Sequence, residues 1–372
     1  MSKRSMVMAA VLAGAWSCSA PSPQIESPQP VDEHLAPVVV ADKGEPERLK
    51  IPKDVSSAAP LNAKQGAPGG KAAGFKIPPG FEPGLMAGAG DELFFVARSF
   101  RDDGKVGRLK RSGEQLLHRG PNKADHIRIN GRGAALDVIV VGRHGGLARY
   151  RNGAWEYRLA PALEGEAIGA SAIASDGTVY AAGTHHALYL WKGDSWTIKR
   201  YGSTGTAVMD ALVASDGTLY LIGRHGRILS YDGKTFRDVA IKGLTAGVLA
   251  TQWEASWADV KRMTLWIVTS KTLLSIDLKA KQATSFPSAL FFDLESITGC
   301  DTPSGPLLLV GTFGRIALFD GKAFYEADNS GADALFIDRA KAQGYAASHG
   351  KVRVIDLQHQ ALGNGPGQLI KR

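Results

Sequence analysis

Residues 174–196 read ASDGTVYAAGTHHALYLWKGDSW, and residues 214–236, 40 positions later, read ASDGTLYLIGRHGRILSYDGKTF. The same spacing recurs elsewhere: a Gly is followed 13 residues later by an aromatic at Gly142 and Trp155, Gly183 and Trp196, Gly223 and Phe236, and Gly311 and Phe324. Weaker copies at 94–116, 266–286 and 345–362 bring the series to seven. Each unit alternates apolar and polar residues in short runs broken by Asp-Gly turns, the pattern of antiparallel strands joined by tight hairpins. In the unit 169–209, SAIAS is expected to be the innermost strand, TVYAAG the second, ALYLWK the third and WTIKRY the outermost. Four strands in about 40 residues make one propeller blade. A lone blade cannot cover both of its faces, so radial stacking is expected to bury Ile173, Val179, Leu188 and Trp196 against neighbouring blades. Kelch repeats are longer and β-helix repeats shorter, and neither fits this period as well. The expected fold is therefore all-β: a seven-bladed β-propeller of four-stranded antiparallel blades over residues 76–372, its ring closed by a strand from residues 76–84.

Composition agrees with a globular, turn-rich chain: 372 residues, 44% hydrophobic, 8% aromatic and 44 Gly. The N-terminus differs in kind. Lys3 and Arg4 precede the short apolar run MVMAAVLAGAW, the layout of a secretory signal over residues 1–17. The following AGAWSCSA resembles the lipobox of bacterial lipoproteins, which implies lipidation at Cys18, although Ala15 and Trp16 stand where that family usually has Leu and a small residue. Cleavage after Ala20 is the alternative. Residues 18–75 are rich in Pro, Ser, Ala and Gly without a sustained apolar period and are expected to form a disordered tether. Cys300 is then expected to be a buried free thiol. The formal charge of +8 becomes +6 without Lys3 and Arg4, a modest basic excess that favours anionic partners. Export argues against nucleic acid.

The units DGTVYAAGTHHALYLWKGDSW and DGTLYLIGRHGRILSYDGKTF resemble repeats of bacterial periplasmic two-component-regulator propellers, which run DGxxWhGTxxGhxxYDGxxF with h apolar. Tyr180 and Tyr220 replace that family's Trp. The resemblance implies a seven-bladed domain without the signalling half, with ligands taken at the mouth of the pore.

One column of residues stands out in the turn between second and third strands: His144, His185, His225, Phe313 and His349, with Lys271 in the fifth unit. Arg143, His186, Arg224, Arg315 and Lys351 lie beside it. Rotational repetition should bring these turns to one face, a candidate basic binding face of Arg143, His144, His185, His186, Arg224, His225, Arg315, His349 and Lys351. Histidines spread over different blades do not converge as metal ligands must. The simplest alternative is that His suits a turn because it tolerates positive φ. The Asp-Gly pairs at 176/177, 216/217, 232/233 and 320/321 offer one carboxylate per turn, which is turn chemistry rather than a calcium loop. Asp293, Glu295 and Asp301 are acidic neighbours with nothing to place them around a substrate. No GxSxG, HExxH, P-loop or strand-to-helix GxGxxG occurs.

From these features the chain is expected to be an exported, lipid-anchored, non-enzymatic binding or scaffolding module of the cell envelope for an anionic protein or envelope glycan, with no catalytic residue, metal or cofactor. The alternative is a propeller enzyme, a polysaccharide lyase or hydrolase, with His144, His225 or His349 as base and an Arg neutralising a carboxylate. The two differ in arrangement: an enzyme gathers its polar residues in one asymmetric cluster, whereas repeated structure spreads them blade by blade.

Overall fold

The computed structural model describes residues 75–77, 83–89, 91–97, 104–130, 135–161, 166–184, 186–202, 207–245, 248, 251–287, 293–302, 305–312, 314–338, 342–348 and 351–357. The expected signal segment, Cys18 and almost all of the expected tether lie outside them.

Seven antiparallel sheets follow one another along the chain, each with its strands in sequence order. Blade 1 comprises Pro83–Ala89, Glu92–Ala97, Lys105–Lys110 and Gln115–Arg119, and blade 2 comprises Ala124–Asn130, Asp137–Gly142, Gly146–Arg151 and Ala154–Leu159. Blade 3 is Ile168–Ile173, Val179–Gly183, Ala187–Lys192 and Ser195–Arg200; blade 4 is Val208–Val213, Leu219–Gly223, Ile228–Tyr231 and Phe236–Asp238. Blade 5 is Trp253–Asp259, Thr264–Thr269, Thr272–Asp277 and Gln282–Pro287; blade 6 is Leu294–Thr302, Gly305–Thr312, Ile316–Phe319 and Phe324–Asp328. Blade 7 has three described strands, Ala334–Asp338, Gln343–Ser348 and Lys351–Asp356. The first strand of every blade packs beside the first strands of both neighbours, blade 1 against blade 7 included, so seven inner strands surround a central channel.

The repeated Gly and aromatic now have physical reasons. A Cβ at Gly142 would stand 2.6 Å from the Asn122 carbonyl oxygen and 2.8 Å from that of Lys123, because the chain entering the blade crosses the end of its second strand there. The aromatic packs on the residue paired with it across the third and fourth strands: Trp191 and Trp196 stack at 5.6 Å, and Tyr231 and Phe236 at 4.4 Å. Such pairs add about 0.5–1.5 kcal/mol beyond the area they bury. Apolar clusters then fill the seams. Ile173, Val179 and Trp196 pack between blades 2 and 3, and Leu188, Leu219 and Tyr231 between blades 3 and 4.

Each Asp-Gly turn closes on itself. Asp176 and Asp216 accept the Thr178 and Thr218 N–H groups at 2.9 Å, with Gly177 and Gly217 at φ of 81° and 87°. The hydrogen bond from Lys192 and the N–H of Thr178 hold the Asp176 carboxyl at about 2. These carboxylates are spent on their own turns.

Of the expected closing strand over 76–84, residues 78–82 lie outside the described residues, and Pro83 and Gly84 belong to the inner strand of blade 1; among the described residues Phe75 packs in the seam with blade 7. Its N–H donates to the Tyr345 hydroxyl at 3.0 Å, its ring meets Phe336 and Tyr345 edge-on, and the Arg111 guanidinium lies 4.7 Å over it. Arg111 in turn bonds Asp91 of blade 1 and Asp338 of blade 7, both at 2.6 Å. Cys300, expected to be buried, is half-buried.

Candidate functional site

Six of the seven inner strands carry a register shift at their second residue. The bulged residues are Gly84, Asp125, Gly169, Met209, Glu254 and Glu295. A bulge bends the strand and re-aims its side chains. The second-to-third-strand turns lie on this same face: the Arg143 N–H donates to the Asn122 carbonyl at 2.9 Å, Arg224 to Ala207 at 3.1 Å, and Trp253 to Arg224 at 2.8 Å. Turns and bulges together therefore form one mouth of the channel.

Below the bulges, four consecutive blades send polar side chains to one point. His126 of blade 2 lies 3.1 Å from Ser171 Oγ of blade 3 through Nδ1, and 3.1 Å from Asp210 Oδ1 of blade 4 through Nε2. The Ser171 N–H also donates to Nδ1, at 3.3 Å, so Nδ1 is an acceptor and the ring proton sits on Nε2, facing Asp210. Arg128 donates to Asp210 and to the Ala211 carbonyl, the latter at 3.0 Å, and Ser256 of blade 5 donates to Asp210 Oδ2 at 2.7 Å. Burial alone would raise the Asp210 carboxyl, but the Arg128 charge and the His126 and Ser256 hydrogen bonds outweigh it and hold it far below the usual carboxylate range. The order Ser171, His126, Asp210 has the layout of a nucleophile relay. Ser171 is fully buried, however, so no substrate reaches its hydroxyl and the group is the floor of the site.

The rim above this floor is electrically divided. At Asp125, exposed and next in the chain to His126, the surrounding protein pushes the carboxyl up while Arg143, Arg224, His126 and Lys123 pull it down; the net shift is upward. Arg224 belongs to blade 4, so its charge reaches Asp125 of blade 2 past the intervening blade. On the opposite arc, Glu295 of blade 6 is raised by the surrounding protein and by the like charges of Asp333, Asp293 and Glu254. Among the described residues, no three of His, Cys, Asp and Glu come together as metal ligands.

The residues expected to form a basic face divide three ways. Arg143 and Arg224 lie in turns on the mouth that carries Asp125, and their charges pull its carboxyl down. Arg315 does not join them; it turns to Glu326 on the outer strand of its own blade, 3.9 Å away. His144 and His186 adopt φ of 55° and 62°, His186 lies edge-on to Tyr201, and His225 is an exposed turn residue. His185, His349 and the Lys351 side chain lie outside the described residues. Sequence reasoning missed His126, Arg128, Asp125 and Asp210. A signal was present: charged residues in KADHIRIN and AVMDALV interrupt strands that are otherwise apolar, and these are inner strands.

No family model matches the chain, and no curated protein matches it. Solved propellers do. A streptogramin B lyase structure is similar at a TM-score of 0.57 and 12% identity, covering 77% of this chain and 96% of that one. Selenomethionine-substituted virginiamycin B lyase from Staphylococcus aureus gives 0.58 and 11%, covering 74% and 94%. A catalytically inactive His-to-Ala variant of virginiamycin B lyase from Staphylococcus aureus, with quinupristin, gives 0.56 and 12%, covering 74% and 95%. At these identities the likeness is one of fold. The expectation of a non-enzymatic binding or scaffolding module, without catalytic residues, is nevertheless corrected. The similar propellers are enzymes, and the polar residues of this channel converge in one asymmetric sector instead of recurring blade by blade.

Proposed function

We propose that this chain is a propeller enzyme of the lyase type, acting at the channel mouth over the floor of His126, Arg128, Ser171, Asp210 and Ser256. The observation that carries the reading is the convergence of these side chains from four consecutive inner strands. Such a floor supplies a fixed polar surface whose charges and protons do not have to reorganise during reaction, which is the main source of electrostatic catalysis. An elimination needs a base for a carbon-bound proton and a cation for the charge that develops, and the mouth carries the Asp125 bulge and the turns of Arg143 and Arg224. The names of the similar structures support a lyase over a hydrolase, as does the burial of Ser171.

The test is to incubate the purified protein with quinupristin and with uronic-acid glycosides, and to follow unsaturated products by absorbance and mass spectrometry. Turnover that falls at least ~100-fold in His126→Ala supports the reading. No product from any probe, or equal turnover by the variant, overturns it. The same reading keeps the chain in the cell envelope, exported by its N-terminal segment and held through lipid on Cys18.

A further inference from the structure

Arg128 is the member of the floor that keeps both exposure and uncommitted donors. Its side chain is 17% exposed, against 1% for Asp210, and Ser171 is fully buried. His126 spends both ring nitrogens inside the cluster, Nδ1 on Ser171 and Nε2 on Asp210. A guanidinium and a carboxylate ordinarily close on each other through two parallel bonds, as where Arg149 Nε and Nη2 meet the two oxygens of Asp137 at 2.9 and 2.5 Å. Asp210 cannot close on Arg128 in this way. Its Oδ1 also takes the Ala211 N–H at 2.7 Å and His126 Nε2 at 3.1 Å, and its Oδ2 takes the Ser256 hydroxyl at 2.7 Å. Arg128 therefore bonds through Nη2 alone, to Asp210 Oδ1 and to the Ala211 carbonyl at 3.0 Å. Among the described residues Nε and Nη1 have no hydrogen-bond partner, and Nε is buried. Buried N–H groups are nearly always paired, so these donors mark where a further acceptor fits.

Resting on the enzyme reading, we infer that Arg128 seats the terminal carboxylate of the substrate and thereby selects which molecules the channel accepts. The guanidinium favours a negatively charged acceptor, because such hydrogen bonds are about twice as strong as neutral ones. The Asp210 carboxylate on its other side opposes a second negative charge, which selects a monoanion, a carboxylate, over a phosphate dianion. Depth selects the end of a molecule. Arg128 stands two residues beyond His126 on the strand Ala124–Asn130, about 7 Å farther from the bulge, so the carboxylate has to lead into the channel. The arm is held in place from two blades. It starts on blade 2 and is pinned at Nη2 by two oxygens of blade 4, and at 169–172 the inner strand of blade 3 carries nothing larger than Ser, which leaves room for it to pass.

The test is calorimetry on the whole protein at low salt with acetate, benzoate and glucuronate. Wild type should bind at least one of them, and the methyl ester of that acid should bind at least ~10-fold more weakly, the loss expected for a hydrogen bond to a charged group. Arg128→Lys keeps a cation beside Asp210 but gives up the planar fork, and should lose ~10-fold as well. Arg158→Ala, which removes a charge from the outer strand of the same blade, should bind as wild type does. For a uronic-acid glycoside that is turned over, Arg128→Lys should raise KM about tenfold and change kcat far less. No carboxylate bound by wild type, equal affinity for acid and ester, or equal affinity in wild type and folded Arg128→Lys would overturn the inference. The ester comparison decides it on wild type alone where Arg128→Lys does not fold. Carboxylate binding that depends on Arg128 with no turnover of any probe would overturn the enzyme reading and leave the seat standing. Turnover lost in His126→Ala with carboxylate binding unchanged in Arg128→Lys would do the reverse.

Discussion

His126 and Asp210 belong to blades 2 and 4, yet the imidazole Nε2 lies 3.1 Å from the carboxylate Oδ1, with Ser171 of the intervening blade on the other ring nitrogen. A contact of that kind ties three inner strands at one level of the channel. It makes Asp210 both a structural clamp and the anchor of the candidate site.

Replacing Asp210 should show this first in stability. Asp210→Ala leaves the Arg128 guanidinium without its carboxylate in a largely buried position, at an expected cost of about 3–5 kcal/mol. The folded-state carboxyl lies below its ordinary value, so its contribution is present above about pH 4 and is lost as the pH falls through the lower folded value. Thermal unfolding of both proteins from neutral pH into acid should show the gap in Tm narrowing. A gap that is constant or widens in acid contradicts the assignment.

The acidic limb of an activity profile reports on Asp125. Its carboxyl is shifted up despite Arg143 and Arg224, so removing those cations should raise it further. In Arg143→Ala and Arg224→Ala the acidic limb of kcat/KM should therefore move to higher pH. A limb that stays in place, or moves down, would show that another group controls it.

How much of this was legible before the structure depends on which residues repeat. Gly142, Gly183 and Gly311 each leave room for an atom that a Cβ would meet, and the aromatics Trp155, Trp196, Phe236 and Phe324 each pack on the ring paired with them across the third and fourth strands, so the period exposed the fold. His144 and His186 are turn residues at positive φ. The floor does not repeat. His126, Ser171, Asp210 and Ser256 come from different blades and are brought together only by the curvature of the ring, which no local spacing records. The part of Phe75 in the seam of blades 1 and 7 was not legible either, because this residue precedes the repeats and meets Phe336 and Tyr345 only once the ring is closed.

That seam is open to a direct check. Phe75 is buried against Phe336 and Tyr345 and carries the Arg111 guanidinium on its face, so Phe75→Ala should cost about 3–5 kcal/mol. Differential scanning calorimetry should show a lower Tm with one cooperative transition. An unchanged Tm would remove Phe75 from the closure.

Gly142→Ala and Gly153→Ala separate close approach from backbone strain. A Cβ at Gly142 meets backbone oxygens at 2.6 and 2.8 Å, whereas nothing lies within 4 Å of one at Gly153, where φ is 84°. Denaturant titration should find a loss of about 1–2 kcal/mol at Gly153, from the left-handed conformation alone, and a larger one at Gly142. Equal losses would mean that the entering chain yields to the added methyl.

Anchoring is tested in a bacterial host by Cys18→Ala, which should shift the protein from the membrane to the soluble fraction and abolish incorporation of labelled palmitate. Equal membrane fractions for the two forms would contradict it.

The most direct measurement of where chemistry occurs is a crystal structure of His126→Ala soaked with quinupristin and with uronic-acid glycosides. The account predicts density at the mouth bounded by the bulges, over the floor of Arg128, Ser171, Asp210 and Ser256. Density on the opposite face of the ring or along the outer strands, or none at saturating concentration, would contradict the assignment of this channel mouth as the active site.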